Sequence, residues 1–433
     1  MHLLQISLLA AALLGFAAAD AGQCGAKAQM SCAPGLNPCC SQYGVCGAGA
    51  YCLGGCDPKF SSKPEACLPA PTCRSGDYKF TSPDRIADKS RYLGDSSSFD
   101  WVSEGGLKIS GGQALLTMDP NTWKAGTVLS STHYVWYGNI KATMKTSRGA
   151  GVITAFILMS NMKDEVDFEW VGVRLGTTET NYYFNGIEDW NNGQKYTASY
   201  DSFAEWHTYE IDWKPDTLTW KMDGNTIRTL KKSDTLDKAT GIYHYPQTPS
   251  RVQLSIWPGG GPQSKPDTIS WAGGKIDWVN HPDMQNPGYY YARLKDVSIT
   301  CYDPPTEAKV KGSKSYTYDS IKGTEDTVVI GNGATDIKSS IASGLDPNKG
   351  VQQVKPSDLD KIETVPGLTG AGTGAKGDTG TAEGGSTADQ GIAASGGSGS
   401  NTFSQGVQGV KSGAERVVAG GMAVAVAVAA YFV

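Results

Sequence analysis

An all-β sandwich or jelly roll, preceded by a small stapled module, is the fold class that this 433-residue sequence predicts. Three observations predict it. Short alternating segments rich in Trp, Tyr, Thr and Gly recur between Cys73 and Tyr302. No convincing amphipathic helix interrupts them. Nine of the ten cysteines crowd between Cys24 and Cys73, which separates a cross-linked module from a large domain with its own core.

Expected strands run over Ala114–Met118, Gly138–Thr146, His207–Trp213, Leu218–Met222, Val252–Trp257 and Ala292–Thr300. Asp223-Gly224-Asn225 lies between two such runs and signals a hairpin. A minor helix is expected around Asp283.

The ends read as targeting segments. Leu3–Phe16 is apolar and Ala17-Ala18-Ala19 follows, so residues 1–19 are expected to be a signal peptide. The competing reading is a short membrane anchor, but the run falls short of the ~20 apolar residues a span needs. At the other end, Gly396–Ser400 is Gly/Ser-rich, Ser404–Arg416 is polar and 417–433 is an apolar tail. That order predicts a glycosylphosphatidylinositol anchor attached within Gly399–Gly406. A tail-anchored single span is the alternative. After Pro304-Pro305 the composition shifts to Gly, Ser, Thr, Lys and Asp, with Tyr316 and Tyr318 as late exceptions. Residues 304–416 are therefore expected to be a disordered spacer. The formal net charge of −5 and the lack of a dense Lys/Arg run argue against nucleic acid.

The module, residues 22–68, is Gly-rich and poor in large aliphatic side chains, so cross-links must stabilise it. Its eight cysteines from Cys24 to Cys67 allow 105 connectivities. Cys39-Cys40-Ser41-Gln42-Tyr43-Gly44, then Cys46-Gly47 and Tyr51-Cys52, resembles the hevein-type chitin-binding module. The resemblance implies the pairs Cys24–Cys40, Cys32–Cys46, Cys39–Cys52 and Cys56–Cys67. It also implies a site in which Ser41 bonds an acetamido group while Tyr43 and Tyr51 stack on sugar rings, as flat aromatic faces can. Val45 stands where the family has a third aromatic, which implies weaker or altered chitin binding. A purely structural knot is the alternative. If the module uses eight cysteines, Cys73 and Cys301 remain and are expected to pair; otherwise Cys67 or Cys73 pairs locally and a different thiol is left over.

The chemistry lies in Asp164-Glu165-Val166-Asp167-Phe168-Glu169-Trp170. Side chains alternate along a strand. Val166, Phe168 and Trp170 then share a core face, and Glu165, Asp167 and Glu169 share the other with no cation between them. Neighbouring like charges raise one another's pKa, and glycoside hydrolysis needs a carboxylate and a carboxylic acid about one bond. A solvated acidic strand is the competing reading. Glu165 and Glu169 would have Cα atoms ~13 Å apart, so both side chains must lean over Asp167.

The motif resembles the ExDxE strand of glycoside hydrolase family 16, a β-jelly-roll family. Asn181–Gly186, Trp206–Trp213, Tyr245–Pro249, Ile256–Gly260 and Trp271–Gly274 are similar to its fungal Crh branch, the chitin–glucan cross-linking transglycosylases of the cell wall. The similarity spans about Asp77 to Tyr302, within a catalytic domain expected over 73–303, and the hevein-like module and anchored tail resemble the Utr-type members. The resemblance implies Glu165 as nucleophile, Glu169 as general acid/base and Asp167 as helper carboxylate. Trp257 and Trp271 are candidate sugar platforms, and Tyr183, His207 and Trp213 candidate cleft residues. Core packing competes for each aromatic, and a structural histidine for His207. The remaining His133, His244 and His281 show no short metal-ligand spacing, so no metal and no cofactor is expected.

Chitin as donor and β-glucan as acceptor are what the resemblance implies, acted on by a secreted monomer anchored at the outer membrane face and in the wall. A plain endo-hydrolase of chitin or β-glucan, and a non-catalytic wall lectin, remain the alternatives.

Overall fold

The computed structural model describes residues 22–350 apart from Trp123 and Glu188. The expected signal peptide, the remainder of the spacer from 351 and the anchor tail lie outside the described residues.

Two eight-stranded sheets face each other. One is built on Gly138–Lys145 and Tyr290–Cys301, with His207–Trp213, Thr217–Met222 and Asn225–Lys231 on one side. The other, hereafter the site sheet, runs in the order Gln194–Thr197, Thr177–Tyr183, Glu165–Val171, Val152–Ser160, Ser250–Pro258, Thr127–Val135, Trp101–Glu104 and Ile86–Asp88. Its pairs are antiparallel except the edge pair Ile86–Asp88 with Trp101–Glu104. The all-β sandwich is therefore the fold of the protein.

Period-two alternation sorts the residues of the site sheet. Phe156, Leu158, Val166, Phe168, Trp170, Leu254 and Ile256 point between the sheets into the main core. Ile153, Ala155, Ile157 and Trp257 point to the outer face and form a second apolar cluster there. The Asp223-Gly224 hairpin has both residues at positive φ, +50° and +80°, with Met222 paired to Asn225, the geometry that suits the strand twist. Short helices form at Pro282–Gln285 and, with no forewarning in the sequence, at Pro266–Trp271.

The module is stapled by Cys24–Cys40, Cys32–Cys46, Cys39–Cys52 and Cys56–Cys67, while Cys73–Cys301 ties the entry of the sandwich to its last long strand. The sulfurs of Cys24, Cys32 and Cys40 lie within 4.8 Å of one another, but all three are committed to disulfides.

The expected disordered spacer needs correction over 304–350. Ser315–Tyr318 and Val328–Gly331 pair with each other, Lys309–Val310 joins them, and Ala70–Pro71 closes a four-stranded sheet. Ile337 and Ala342 then pack with Leu53, Cys52 and Ala66 of the module and with Tyr92 and Val102 of the sandwich. Gly49 N donates to Ala342 O and Gly344 N to Ala66 O, each at 2.8 Å. This segment has too few apolar residues for a core of its own, but it borrows the edge and the apolar surface that the other two parts offer.

Ile337 is 1 % exposed. Ile337→Ala is expected to cost about 2–5 kcal/mol, read as a lowered unfolding midpoint in calorimetry. An unchanged midpoint would mean that the segment does not strap the module down.

Candidate active site

A tight turn with Lys163 at φ +69° reverses the chain into the strand Glu165–Val171. Asp164 fixes the entry. Its carboxylate accepts from the backbone N of Asn185 at 2.8 Å, of Gln247 and Thr248 at 2.9 Å each, and from Thr248 Oγ1 at 2.6 Å. One buried side chain thus holds the turn after Tyr183 and the loop Tyr245–Pro249 against the start of the carboxylate strand.

With Val166, Phe168 and Trp170 in the main core, Glu165, Asp167 and Glu169 stand on the outer face. Their partners on one side are Met159, Ile157 and Ala155, and on the other Tyr183, Asn181 and Glu179. Cross-strand partners point the same way, so these residues share the floor. Arg251, Gln253, Ser255 and Trp257 continue it on the next strand.

Burial dominates the electrostatics. It pushes the Asp167 carboxyl up to about 7, against the pull of a hydrogen bond with Glu165 and the nearby Arg228 cation. Glu169 is raised well above the usual carboxylate range, first by burial, then by the charges of Asp167 and Glu179; the Trp257 indole N–H opposes this weakly. Glu169 is thus held as an acid while its neighbour on the same face, Glu165, flanks Asp167 from the other side.

Two residues that the sequence reading passed over, Glu179 and Arg228, set this field, and a third, Arg251, lies on the same floor. Glu179, level with Glu169, is itself held by Arg174 at 2.7 Å, Lys195 at 3.3 Å and the Trp271 indole N–H at 3.0 Å. It obeys the same alternation as Asn181 and Tyr183, so the signal was present in Thr177–Tyr183. Arg228 comes from the opposite sheet, donates to Thr180 O at 2.9 Å and Asn192 O at 2.7 Å, and lies over Trp220. Trp220 Nε1 in turn donates to the backbone carbonyl of Asp167 at 3.0 Å. Arg251 is 3 % exposed, and a lone arginine directly before the alternating stretch Val252–Trp257 was the cue that went unused.

Of the candidate aromatics, Tyr183 lies beside Glu165 and accepts from Asn181 Nδ2 at 2.8 Å. Trp271 is partly exposed and stacks on Trp257, centroids 6.0 Å apart. Trp257 is fully buried beneath it, so Trp271 offers the surface and Trp257 supports it. Two candidates need correction. Trp213 is fully buried between the sheets, with Nε1 donating to Pro246 O at 3.0 Å and its ring edge-on to Tyr137. His207 lies on that same inner face, and its Nδ1 is 2.7 Å from Asp223 Oδ2 in the hairpin turn. Both follow the alternation of Tyr209 and Ile211 into the core, which keeps them out of the cleft.

In the module, Ser41 Oγ accepts from Val45 N at 3.2 Å. Tyr51 packs with the Leu53 cluster and so closely over Gly47 that a Cβ there would lie 2.4 Å from the ring. Tyr43 belongs to the outer-face cluster of the site sheet.

The family model for Glycosyl hydrolases family 16 matches residues 95–279. Crh-like protein 2 of Aspergillus fumigatus is 46 % identical over 363 residues, 83 % of this chain and 81 % of its own. Congo red hypersensitive protein 2 of Saccharomyces cerevisiae is 43 % identical over 327 residues, 73 % of this chain and 68 % of its own. A solved structure of Crh5 transglycosylase in complex with NAG is 27 % identical, with a TM-score of 0.49 over 60 % of this chain and 94 % of that one.

An acid whose folded pKa exceeds its unfolded value stabilises the fold below the unfolded value and loses that contribution as pH rises. Asp167 therefore favours the fold near pH 4 and ceases to do so as pH climbs towards about 7. The unfolding midpoint should fall across that window, and Asp167→Asn should flatten the fall; an identical slope in the variant would assign the titration elsewhere.

Proposed function

The chain belongs to the glycosyl hydrolases family 16 and, within it, to the Crh-like proteins, and on that premise we propose that it cleaves chitin and transfers the cut chain to β-glucan by a retaining double displacement. The observation that carries the reading is the single face of Glu165, Asp167 and Glu169, with Glu169 held protonated by burial and by two neighbouring carboxylates.

In the first step the Glu165 carboxylate attacks the anomeric carbon of the sugar at the cleavage point. The glycosidic C–O bond breaks, and Glu169 gives its proton to the departing oxygen. The product is a glycosyl ester on Glu165, with Glu169 now a carboxylate. In the second step a hydroxyl of the acceptor sugar attacks the same carbon, Glu169 takes its proton, and Glu165 leaves as a carboxylate. Two inversions restore the original anomeric configuration. Asp167 sits between the two on the same face, next to Glu165, where its carboxyl can steer the nucleophile. Trp271 supplies a flat apolar face to a pyranose ring, fixed by Glu179. Transfer prevails over hydrolysis when an acceptor sugar rather than water reaches the ester.

The wider reading follows the architecture. Residues 1–19 direct secretion, the module 22–68 contributes to binding chitin, the sandwich 73–303 performs transfer, and the tail 417–433 is exchanged for a lipid anchor. The protein then works as a monomer at the outer face of the plasma membrane and in the wall.

Incubating the purified protein with chito-oligosaccharides and a fluorescent β-1,3-glucan oligomer should give labelled products larger than the input. Glu165→Gln and Glu169→Gln should each lower the rate by roughly a hundredfold or more. Shorter chito-oligosaccharides without labelled hybrids would instead identify a hydrolase, and full activity in both variants would remove these residues from the mechanism.

The charge on Glu179 helps to keep Glu169 protonated. Glu179→Gln should therefore move the alkaline limb of the pH–rate profile to lower pH. A limb that stays in place would show that Arg174 and Lys195 already cancel that charge.

A further inference from the structure

The stapled module does not stand apart from the sandwich: its loop of Ser41 to Val45 lies on the site sheet. Gln42 Oε1 accepts from Arg251 Nη2 at 2.6 Å. Arg251 is the cross-strand partner of Met159, which is itself the partner of Glu165. The Tyr43 hydroxyl donates to Glu104, which pairs with Val128 and faces outward with it. The seam is close-packed. A Cβ on Gly54 would lie 2.5 Å from Arg251 Nη1, and one on Gly55 would lie 2.3 Å from Gln42 Oε1. Gly55 N donates to Tyr134 Oη and Asn161 Oδ1, both at 3.1 Å, and Lys59 Nζ to Asn185 O at 3.0 Å.

The position of the Tyr43 ring follows. It packs on the cluster of Val128, Ile153, Ala155, Ile157 and Trp257, whose other half-buried members are Met159 and Trp271. Ile157 and Ala155 are the partners of Asp167 and Glu169. The apolar floor bordering the carboxylates therefore presents three half-buried side chains, and one of them belongs to the module.

We infer that Tyr43 is a sugar platform of the catalytic cleft itself, so that the module's carbohydrate site and the catalytic site form one continuous track for a single chain of β-1,4-linked N-acetylglucosamine. This rests on the chitin-directed reading above and specifies how the donor is held. Tyr43 is suited to the task because its half-buried ring is fixed before sugar arrives: it packs against the cluster and Glu104 anchors the hydroxyl, so little ordering entropy is lost on binding. Burial, aided by Glu104, keeps the phenol neutral, so it remains a donor to Glu104 throughout the working pH range. A module tethered at a distance would raise only the local concentration of chitin; a module seated on the floor sets which rings of the donor lie beside Glu165.

Calorimetric titration of the full chain carrying Glu165→Gln with chitohexaose tests this without turnover. One oligosaccharide per chain is expected. Adding Tyr43→Ala should weaken binding about tenfold, equivalent to ~1.4 kcal/mol. Tyr43→Phe, which keeps the ring, should weaken it by less than about threefold. Trp271→Ala should weaken the same single event. Two hexaoses per chain, with Tyr43→Ala abolishing one and leaving the other unchanged, would overturn the inference, as would an unaltered affinity in a folded Tyr43→Ala protein. Binding through Tyr43 without any hybrid products would refute the transfer reading alone. Hybrid products without chitohexaose binding would refute this inference alone.

Discussion

The burial of Val166, Phe168 and Trp170 between the two sheets is the constraint on which the site depends. These three side chains occupy the main core, and a strand anchored on one face has no choice about the other. Glu165, Asp167 and Glu169 are thereby held in line on the outer face, although three carboxylates gathered there repel one another. The core supplies the free energy that holds them, and burial favours their protonated forms. Burial on that face raises the proton affinities of Asp167 and Glu169, and for Glu169 the charges of Asp167 and Glu179 add to it. Asp164 completes the arrangement, because its four accepted hydrogen bonds join the strand to two loops and stop it from sliding along its neighbours.

Where period-two alternation operates on one strand, the sequence was legible. The carboxylate strand and its face, the Asp223-Gly224 hairpin and six further strands of the sandwich could be read from local pattern alone. The same rule applied to His207–Trp213 would have sent His207 and Trp213 inward with Tyr209 and Ile211; family resemblance outweighed it, and both residues are buried on that face. The rule also marks Glu179, whose place beside Glu169 needs only the register of adjacent strands.

What could not be read was long-range. Nothing local in Tyr43 indicates that its hydroxyl meets Glu104, or in Gln42 that it meets Arg251. The segment 304–350 shows the same limit. Its composition correctly excludes an independent core, but it says nothing about Ala70–Pro71 offering a free edge or the module offering an apolar flank. Composition measures what a segment can bury by itself, whereas this one is ordered by what two others leave uncovered.

The contact of Arg251 with Gly54, Gly55 and Gln42 bears on how such a protein can change over generations. Small stapled modules are readily pictured as cassettes, gained and lost by recombination without disturbing what they adjoin. Here the two sides of the seam, 209 residues apart in the chain at Gln42 and Arg251, are shaped to each other at the level of single atoms: side chains at Gly54 or Gly55 would collide with the guanidinium or its partner. Loss of the module would strand a buried cation, and a substitute module would have to bring its own glycine pair and amide. The two parts are expected to be inherited together and to drift together.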